Sequence, residues 1–243
     1  MQEGVAIAIP TYNEVENIQK LIPAIRQFHP SLRIFVIDDN SPDGTAEAVR
    51  KLAKTITRLQ LICRPEKRGL AAAYLDAFER ILADDSIDYI VSMDGDMSHS
   101  PRDLDKLTAC AGKADLVIGS RYVPGGSVEN WNLWRRTLSR YGNVYARRVT
   151  GAPIRDLTSG FVLYSRKVLE RILKQKVTSR DYAFQIEMKY LAYKQGAAIK
   201  EVPITFCDRT GGVSKLEHGV VLEGILRPWD LRFNTRAAKD GTR

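Results

Sequence analysis

The first half of the chain alternates short apolar, β-branched segments with longer stretches in which apolar residues recur at helical spacing. The short runs are typical of buried strands, and the longer pattern is typical of amphipathic helices. Strands that alternate with helices in this way form a parallel sheet covered by helices on both faces. The predicted strands are residues 5–10, 34–38, 59–63, 89–94 and 116–120, and the predicted helices are residues 17–27, 45–54, 70–82 and 101–111.

The second half has a different pattern, which begins with a glycine-rich segment at 123–127 that we expect to be a mobile loop. At 243 residues with 44% hydrophobic content, the chain can form one compact domain. We predict a single α/β domain over residues 1–212 and a short basic amphipathic extension over 213–243. The further predicted elements are helices at 134–149, 167–174 and 183–194 and strands at 161–164 and 198–205.

The positive charge is concentrated in one part of the chain. The formal net charge is +8, yet residues 121–180 alone hold 13 Lys and Arg against 3 Asp and Glu. Such a patch indicates an anionic ligand: a nucleic acid, a phosphorylated small molecule or an acidic bilayer. Composition leaves these three open.

Cysteine usage and the terminus indicate a cytoplasmic protein. Cys63, Cys110 and Cys207 lack metal-ligand spacing, so we expect reduced, buried thiols. The first residues lack the basic region of a signal peptide. Apolar runs stay well short of the roughly 18 to 20 residues of a membrane-spanning helix. We expect contact with a membrane only at the surface or through a partner.

Polar clusters follow three predicted strands, at 10–14, 38–44 and 94–96. Ligands of parallel α/β sheets bind beyond the carboxyl ends of the strands. Asp94 and Asp96 can hold Mg²⁺ or Mn²⁺ together with diphosphate oxygens, although an isolated Asp-Gly-Asp is as often a capped turn. The chain lacks GxGxxG and GxxxxGK[ST] segments, which disfavours a dinucleotide-binding domain and a P-loop NTPase.

The other two clusters can hold a nucleoside. Asp39 can accept hydrogen bonds from a base or a ribose hydroxyl. Tyr12 can stack on a base, and Glu14 adds another acceptor. Each alone could be a turn residue or filler, but three polar strand ends at one edge together predict a ligand-binding crevice.

Five segments together resemble family 2 glycosyltransferases of the GT-A fold, and most of all the dolichyl-phosphate or polyprenyl-phosphate mannose synthases. The similarity extends from residue 5 to about residue 215. The resemblance implies a Rossmann-like, mostly parallel sheet flanked by helices. The segments are Ile-Pro-Thr-Tyr-Asn-Glu at 9–14, Asp-Asp-Asn-Ser-Pro-Asp-Gly-Thr at 38–45, Met-Asp-Gly-Asp-Met-Ser-His at 93–99, Gly-Ser-Arg-Tyr-Val-Pro-Gly-Gly at 119–126 and Ser-Gly-Phe at 159–161.

The resemblance also implies residue roles. Asp94 and Asp96 bind the metal and the diphosphate, and Ser98 stands where relatives often have a glutamine ligand, so that a water can take this position. The residues implied to hold the nucleoside are Pro10, Tyr12, Glu14 and Asp39. The residues implied to grip donor or acceptor phosphates are Arg121, Arg135, Arg209, Ser139 and Lys215, of which the three arginines are the stronger candidates.

The implied reaction moves mannose from GDP-mannose to a polyprenyl phosphate with inversion, assisted by Mg²⁺ or Mn²⁺. An anionic acceptor oxygen requires no general base; for a hydroxyl acceptor, Asp156 and Glu187 are the candidates, although a cap and an exposed helix residue are the simpler interpretations. UDP-glucose and UDP-N-acetylglucosamine remain alternative donors. Nucleic acid is disfavoured because a reader motif is lacking. A peripheral position on the cytoplasmic face of a membrane, reached directly or through a small anchoring subunit, fits this acceptor.

The predicted helix at 134–149 has two distinct faces. Arginines lie on one face, at Arg136, Arg140 and Arg147. The apolar face belongs either to the core or to a membrane interface, and we predict core. That second face is formed by Trp134, Leu138, Tyr141, Tyr145 and Val149.

Overall fold

The protein is described here from a computed structural model, which covers residues 4–179, 181–208 and 218–234. Strands and helices alternate through the first half, as the hydrophobic pattern predicts. The strands are β1 (Val5–Thr11), β2 (Arg33–Asp38), β3 (Leu59–Cys63), β4 (Tyr89–Ser92), β5 (Leu116–Ser120), β6 (Ser127–Glu129), β7 (Val162–Ser165), β8 (Ile199–Pro203) and β9 (Thr205–Cys207). The helices are α1 (Val15–Phe28), α2 (Thr45–Ala53), α3 (Leu70–Leu82), α4 (Leu104–Thr108), α5 (Leu133–Thr150), α6 (Arg166–Leu173), α7 (Asp181–Lys194) and α8 (His218–Asn234).

Seven strands form the central sheet in the order β3-β2-β1-β4-β7-β5-β8. The pairs among β1, β2, β3 and β4 are parallel, and β5 is parallel to β8. Only β7 runs the other way, antiparallel to both β4 and β5. This arrangement confirms the predicted α/β fold with a mostly parallel sheet.

β1 shows why the sheet is covered on both faces. Successive side chains of a strand point to opposite faces. Val5, Ile7 and Ile9 pack in the cluster that contains apolar residues of α1, α2 and α4. Ala6 and Ala8 pack in the other cluster, with residues of α3, α6 and α7. Both layers are needed because every residue of β1 is buried.

Two predicted elements differ from the structure. The predicted helix at 101–111 is a 3₁₀ turn, Pro101–Asp103, followed by the short α4. The predicted strand at 198–205 is divided at Ile204, because β8 joins the central sheet while β9 pairs with β6 in a separate two-stranded sheet. Ile204 hydrogen bonds to Ser120 through its N–H and to Ser127 through its carbonyl, so it connects the two sheets.

The glycine-rich segment at 123–127 packs against the end of β5. The N–H of Gly126 donates to the carbonyl of Val123 at 2.9 Å, which closes a turn before β6. A Cβ at Gly126 would lie 2.5 Å from the carbonyl oxygen of Ser120, so only glycine fits there. The predicted mobility of this segment stays a prediction.

α8 packs on α5 and α7. The hydroxyl of Tyr145 donates to the carbonyl of Ile225 at 2.7 Å, and Arg227 pairs with Glu187 at 2.8 Å. The predicted boundary at 212/213 lies outside the described residues. Within the described ranges, the helices are too short or too polar to cross a membrane.

Two predictions about burial are wrong in part. The face of α5 that we predicted to be core is buried at Val149, but Trp134 is 73% exposed and Tyr141 is 69% exposed. α8 covers only the carboxyl-terminal part of this face, through Tyr145. Among the predicted buried thiols, Cys110 is buried but Cys63 is exposed at the end of β3.

Candidate active site

The three predicted polar clusters lie at one edge of the sheet. β1 lies between β2 and β4 and is parallel to both, so the three carboxyl ends meet. The loops also bond to each other: the N–H of Asn13 donates to Ser41 Oγ at 3.0 Å, and the N–H of Val15 donates to Asp43 at 3.1 Å. The sequence prediction of a common crevice edge therefore agrees with the geometry of these loops.

Each of these loops contains a non-glycine residue with left-handed backbone. The φ angles are 60° at Asn13, 61° at Asn40 and 65° at Met97. This conformation costs free energy for side chains larger than glycine and is found preferentially at functional sites. Gly95, between the two acidic residues, does not share this conformation, because its φ is not positive. A Cβ at Gly95 would be in tight contact, at 3.2 Å from Thr11 Cγ2.

Asp94 and Asp96 differ in exposure. The Asp94 side chain is 31% exposed, whereas Asp96 is only 5% exposed and accepts a hydrogen bond from the N–H of Ser98 at 3.0 Å. The hydroxyl of Tyr74 donates to Asp94 Oδ1 at 3.4 Å. Burial, with the nearby Asp94 charge, raises the pKa of Tyr74, so the phenol keeps its proton. Asp94 is thus held by a neutral donor while part of its carboxylate faces the crevice.

The residues around the pair fit a divalent ion bound with a diphosphate. Among the described residues, Ser98 Oγ is buried without a hydrogen-bond partner, which leaves its lone pairs for an ion or a water. The described chain has no cluster of three His, Cys, Asp or Glu side chains suited to a metal ion. Mg²⁺ is commonly held by one or two carboxylates, with phosphate oxygens and water completing its octahedron.

His99 supports this loop from a buried position. Its ring is fully buried, stacked on Phe161 at 4.9 Å and edge-on to Phe206 at 5.4 Å. Burial lowers the pKa of His99, so the neutral imidazole is favoured. Its Nδ1 accepts from the N–H of Asp94 at 3.3 Å and fixes the backbone of the first acidic residue.

Asp94 lies directly against Gly160. A Cβ at this position would lie 3.1 and 3.2 Å from the two carboxylate oxygens of Asp94. We expect Gly160→Ala to displace Asp94 and to lower kcat/KM about tenfold to a hundredfold, since small misplacements of a catalytic group have effects of this size. Steady-state kinetics would measure the loss.

Gly142→Ala is the matched control, because a Cβ there meets nothing within 4 Å. This variant also replaces a glycine with an alanine, at a position on α5, and it should leave kcat/KM unchanged. Full activity of Gly160→Ala would contradict the expected displacement of Asp94 or its effect on transfer.

Protein groups already contact the side chains predicted to hold a nucleoside. Asp39 is buried, pairs with Arg64, and accepts from the N–H of Gly69 at 2.9 Å. Lys67 Nζ lies 3.7 Å from the centre of the Tyr12 ring. Asp39 therefore fixes the start of α3 and the loop that lies over Tyr12.

The remaining nucleoside candidates also lie at this edge. Pro10 is buried in β1 opposite Ile37. Glu14 lies at the start of α1, where its Oε2 accepts from Asn17 at 2.7 Å. All four side chains are thus near the ends of β1 and β2.

Arg121 lies buried at the end of β5, where its guanidinium is paired with Asp156. Nε donates to Asp156 Oδ2 at 2.8 Å and Nη2 donates to Oδ1 at 2.7 Å. Burial alone would raise the pKa of Asp156, but the charge and hydrogen bonds of Arg121 lower it. A carboxylate with a lowered pKa is a poor general base. A structural role for Asp156 is therefore favoured over a role as the base. Asp156 holds the guanidinium of Arg121 in place.

The first two turns of α5 carry two further predicted phosphate ligands. Arg135 donates to the two oxygens of Asp208 at 2.9 and 3.0 Å, and its guanidinium lies 4.4 Å from the ring of Trp131. Ser139 Oγ accepts from Tyr122, next to Arg121, at 2.7 Å. The candidates Arg209 and Lys215 lie outside the described residues.

Glu187, the other base candidate, is also held by protein donors. It is buried and accepts from the N–H of Ser179 at 2.7 Å and from Arg227 at 2.8 Å. These contacts attach α8 and the segment before α7 to the domain. The exposed position that we predicted for Glu187 is wrong, but its structural role is favoured.

Lys189 is a buried amine beneath the site, and the sequence analysis missed it. Its Nζ donates to the carbonyl oxygens of Ser159 at 2.6 Å and Gln185 at 3.1 Å. Burial lowers the pKa of Lys189 to about 7, against the opposing influence of the Asp156 charge. The two carbonyls match the two N–H groups of a neutral amine. Lys189 therefore fixes the segment that carries Gly160.

This pKa makes stability depend on pH. Between pH 7 and the ordinary value of 10.5, the unfolded chain binds a proton at Lys189 that the folded chain does not. Stability from this group therefore rises with pH in that interval, by on the order of 1 kcal/mol per pH unit. We expect the unfolding free energy of the wild type minus that of Lys189→Met, from urea titrations, to rise between pH 7 and 9. A constant difference would contradict the lowered pKa.

A mostly parallel sheet with an acidic pair at its carboxyl edge is the architecture of a glycosyltransferase of the GT-A fold, and the sequence comparison gives the family: the chain belongs to Glycosyl transferase family 2, which matches residues 6–173. It is a glycosyltransferase, and the resemblance seen in the sequence is confirmed. The polyprenol monophosphomannose synthase of Mycolicibacterium smegmatis is 41% identical over 93% of this chain and 86% of its own. The undecaprenyl-phosphate mannosyltransferase of Micrococcus luteus is 38% identical over 90% of this chain and 89% of its own.

Solved structures show the same fold at lower sequence identity. Glucosyl-3-phosphoglycerate synthase of Mycobacterium tuberculosis, in complex with Mn²⁺, uridine diphosphate and glucosyl-3-phosphoglycerate, superposes with a TM-score of 0.70 at 17% identity. The match covers 97% of this chain and 82% of that one. The same enzyme with Mn²⁺, UDP-glucose and phosphoglyceric acid gives a TM-score of 0.69. This likeness confirms the GT-A architecture.

Proposed function

We propose that the protein is an inverting glycosyltransferase that moves mannose from GDP-mannose to a polyprenyl phosphate of the dolichyl type. The observation that carries this proposal is the placement of Asp94 and Asp96 at the same crevice edge as Arg121. The two relatives at about 40% identity are named for mannosyl transfer involving polyprenol or undecaprenyl phosphate, which supports the choice of sugar and acceptor.

On the donor side, the nucleoside lies along the ends of β1 and β2. Tyr12 stacks on the base, while Pro10, Glu14 and Asp39 shape and line this part of the crevice. Asp39 is already held by Gly69 and Arg64, so the pocket wall is fixed before the donor binds. A preformed wall lowers the ordering cost of binding.

On the leaving-group side, Asp94 and Asp96 would hold Mg²⁺ or Mn²⁺, with Ser98 or a water as a further ligand. The bound ion would supply positive charge for the departing nucleoside diphosphate. Arg121 is kept charged and oriented by Asp156, and its fixed guanidinium faces developing negative charge without reorganising. Arginine pairs with phosphate oxygens in a way that lysine does not reproduce.

On the acceptor side, Arg121, Arg135, Ser139 and Lys215 bind the lipid phosphate, and Arg209 grips a phosphate of the donor or the acceptor. Arg135 is held by Asp208 beside Trp131, so phosphate binding exchanges one anion for another at the same guanidinium. The acceptor oxygen is anionic near neutral pH and attacks the anomeric carbon directly, with inversion. Asp156 and Glu187 are both engaged in structural contacts. This agrees with a reaction in which neither acts as a general base.

The test is transfer of label into the organic phase. Purified protein is incubated with Mg²⁺ or Mn²⁺, a polyprenyl phosphate in detergent, and labelled GDP-mannose, with parallel reactions containing UDP-glucose and UDP-N-acetylglucosamine. Label from GDP-mannose alone, abolished by EDTA, is the expected result. Label only from a UDP-sugar would replace the donor, and organic-phase label from none of the three would overturn the lipid-phosphate acceptor.

A further inference from the structure

Exposed apolar side chains are concentrated on two adjacent helices. The described residues include nine large apolar side chains that are exposed, and eight of them lie on α5 and α8; the ninth is Phe28 on α1. Soluble domains rarely expose a contiguous patch of this kind unless it has a function. We call these eight residues the α5–α8 surface: Leu133, Trp134, Leu138, Tyr141, Ile225, Leu226, Trp229 and Phe233.

Tyr145 joins the two halves of the α5–α8 surface. Its hydroxyl donates to the carbonyl of Ile225 at 2.7 Å and accepts from Trp229 Nε1 at 2.8 Å. The Trp229 ring stacks on Phe233, with centroids 5.7 Å apart. Tyr145 on α5 therefore holds Trp229 and Phe233 of α8 in place on the exposed face.

The charge beside this face is of one sign on α5. This helix holds five arginines and no acidic residue. The exposed ones are Arg136, Arg140, Arg147 and Arg148. Aromatic rings flanked by arginines are the arrangement with which helices lie in the headgroup region of a bilayer, the rings towards the acyl chains and the guanidinium groups towards phosphates.

We propose that the α5–α8 surface docks the protein onto an anionic lipid bilayer. The proposal rests on the function proposed above, since a polyprenyl phosphate keeps its chain in the bilayer. α5 also carries Arg135 and Ser139, which connect to the active site through Asp208 and Tyr122. Docking by this helix places the membrane beside the residues that bind the acceptor phosphate.

The charge pattern argues against a second copy of the chain as the occupant. A two-fold dimer would bring the same patch of each protomer together. The exposed arginines of α5 would then enter an interface to which α5 brings no acidic residue and in which Asp230 of α8 is already paired with Arg227, so like charges would meet at an unfavourable cost. An anionic bilayer supplies the missing opposite charge.

Vesicle sedimentation tests the proposal with the full chain. Sucrose-loaded vesicles contain either phosphatidylcholine alone or phosphatidylcholine with about one third phosphatidylglycerol, and neither contains a polyprenyl phosphate. We expect clear binding to the anionic vesicles and weak binding to the neutral ones. Added salt should weaken the anionic preference through screening.

Two pairs of substitutions separate the apolar and the charged contributions. Trp134→Ser with Tyr141→Ser should lower vesicle affinity about tenfold or more, because both rings leave the interface. Arg140→Gln with Arg147→Gln should lower affinity for anionic vesicles by about fivefold per arginine and leave neutral vesicles unaffected. The matched controls are Phe28→Ser for the apolar pair and Lys51→Gln with Lys54→Gln for the charged pair.

The proposal is overturned if the wild type does not sediment with anionic vesicles, or if both pairs bind like their controls. Loss of a concentration-dependent dimer in Trp134→Ser with Tyr141→Ser, without any vesicle binding, would make the surface a contact between protomers. Both pairs should still transfer sugar to a short-chain acceptor in detergent. Vesicle binding without transfer to any lipid phosphate would reject the proposed function and leave the docking surface standing.

Discussion

Replacing Asp96 with Asn is expected to lower kcat/KM for sugar transfer by about a thousandfold while the fold persists. Asn keeps the oxygen that accepts from the N–H of Ser98, so the loop retains its geometry. It removes one of the two charges available to a divalent ion, and loss of such electrostatic stabilisation costs about two to three orders of magnitude in rate. Initial rates over a range of Mn²⁺ and Mg²⁺ concentrations measure the effect.

The unfolding free energy of Asp96→Asn should not fall with its activity. Asp94 and Asp96 carry like charges one residue apart, and without an ion they repel each other. Asp96→Asn should therefore leave stability equal or slightly higher in EDTA. Asp85→Asn is the control for a lost carboxylate, because Asp85 is fully exposed. Retention of more than a tenth of wild-type kcat/KM in Asp96→Asn would reject the assigned role of this residue.

Several strands and helices could be predicted from the sequence, because their formation depends on the pattern of neighbouring residues. The bounds of β3, β5 and α3 are those that the apolar periodicity predicts. The strand-end clusters were also found, because the edge at which parallel strands end follows from their direction alone. The antiparallel direction of β7 could not be predicted from its apolar residues alone. It depends on pairing with β4, which lies 70 or more residues earlier in the chain.

Long-range contacts explain what the sequence did not show. Lys189 and Glu187 look like surface charges on a helix, but the described side chains of α7 from Ala183 to Ala192 are all buried. Lys189 reaches a carbonyl 30 residues away, and Glu187 meets Arg227 40 residues later. Trp134 is exposed because a long-range contact is missing there: α8 covers only the carboxyl-terminal part of α5.

Asp156→Leu is expected to lower the unfolding free energy by about 3 to 5 kcal/mol, because it leaves the buried guanidinium of Arg121 without its counter-charge. Arg121→Met should cost a similar amount by leaving the carboxylate alone. The double variant Arg121→Met with Asp156→Leu should recover part of this loss, since neither buried charge remains. Urea titrations of the four proteins form a double-mutant cycle, in which additive changes would contradict a coupled buried pair.

The pH dependence gives the same pair a second test. Because the pKa of Asp156 is lowered in the folded protein, its contribution is complete above the ordinary value of 3.8 and is lost as the pH falls through the folded value. Wild type and Arg121→Met should therefore converge in stability as the solution becomes more acidic. Glu47→Gln, at an exposed pair with Arg50, should change stability by less than about 1 kcal/mol at neutral pH.

Activity in the double variant separates the two roles assigned to this pair. If Arg121 stabilises charge on a phosphate, Arg121→Met with Asp156→Leu folds and remains inactive, because the guanidinium is gone. If Arg121 serves only to neutralise Asp156, the double variant regains transfer together with its stability. We expect the first outcome, with kcat lowered about a hundredfold or more. Recovery of wild-type kcat would reject the role of Arg121 at the phosphate. Among the described residues, Arg135 would then be the remaining candidate arginine for the reacting phosphates.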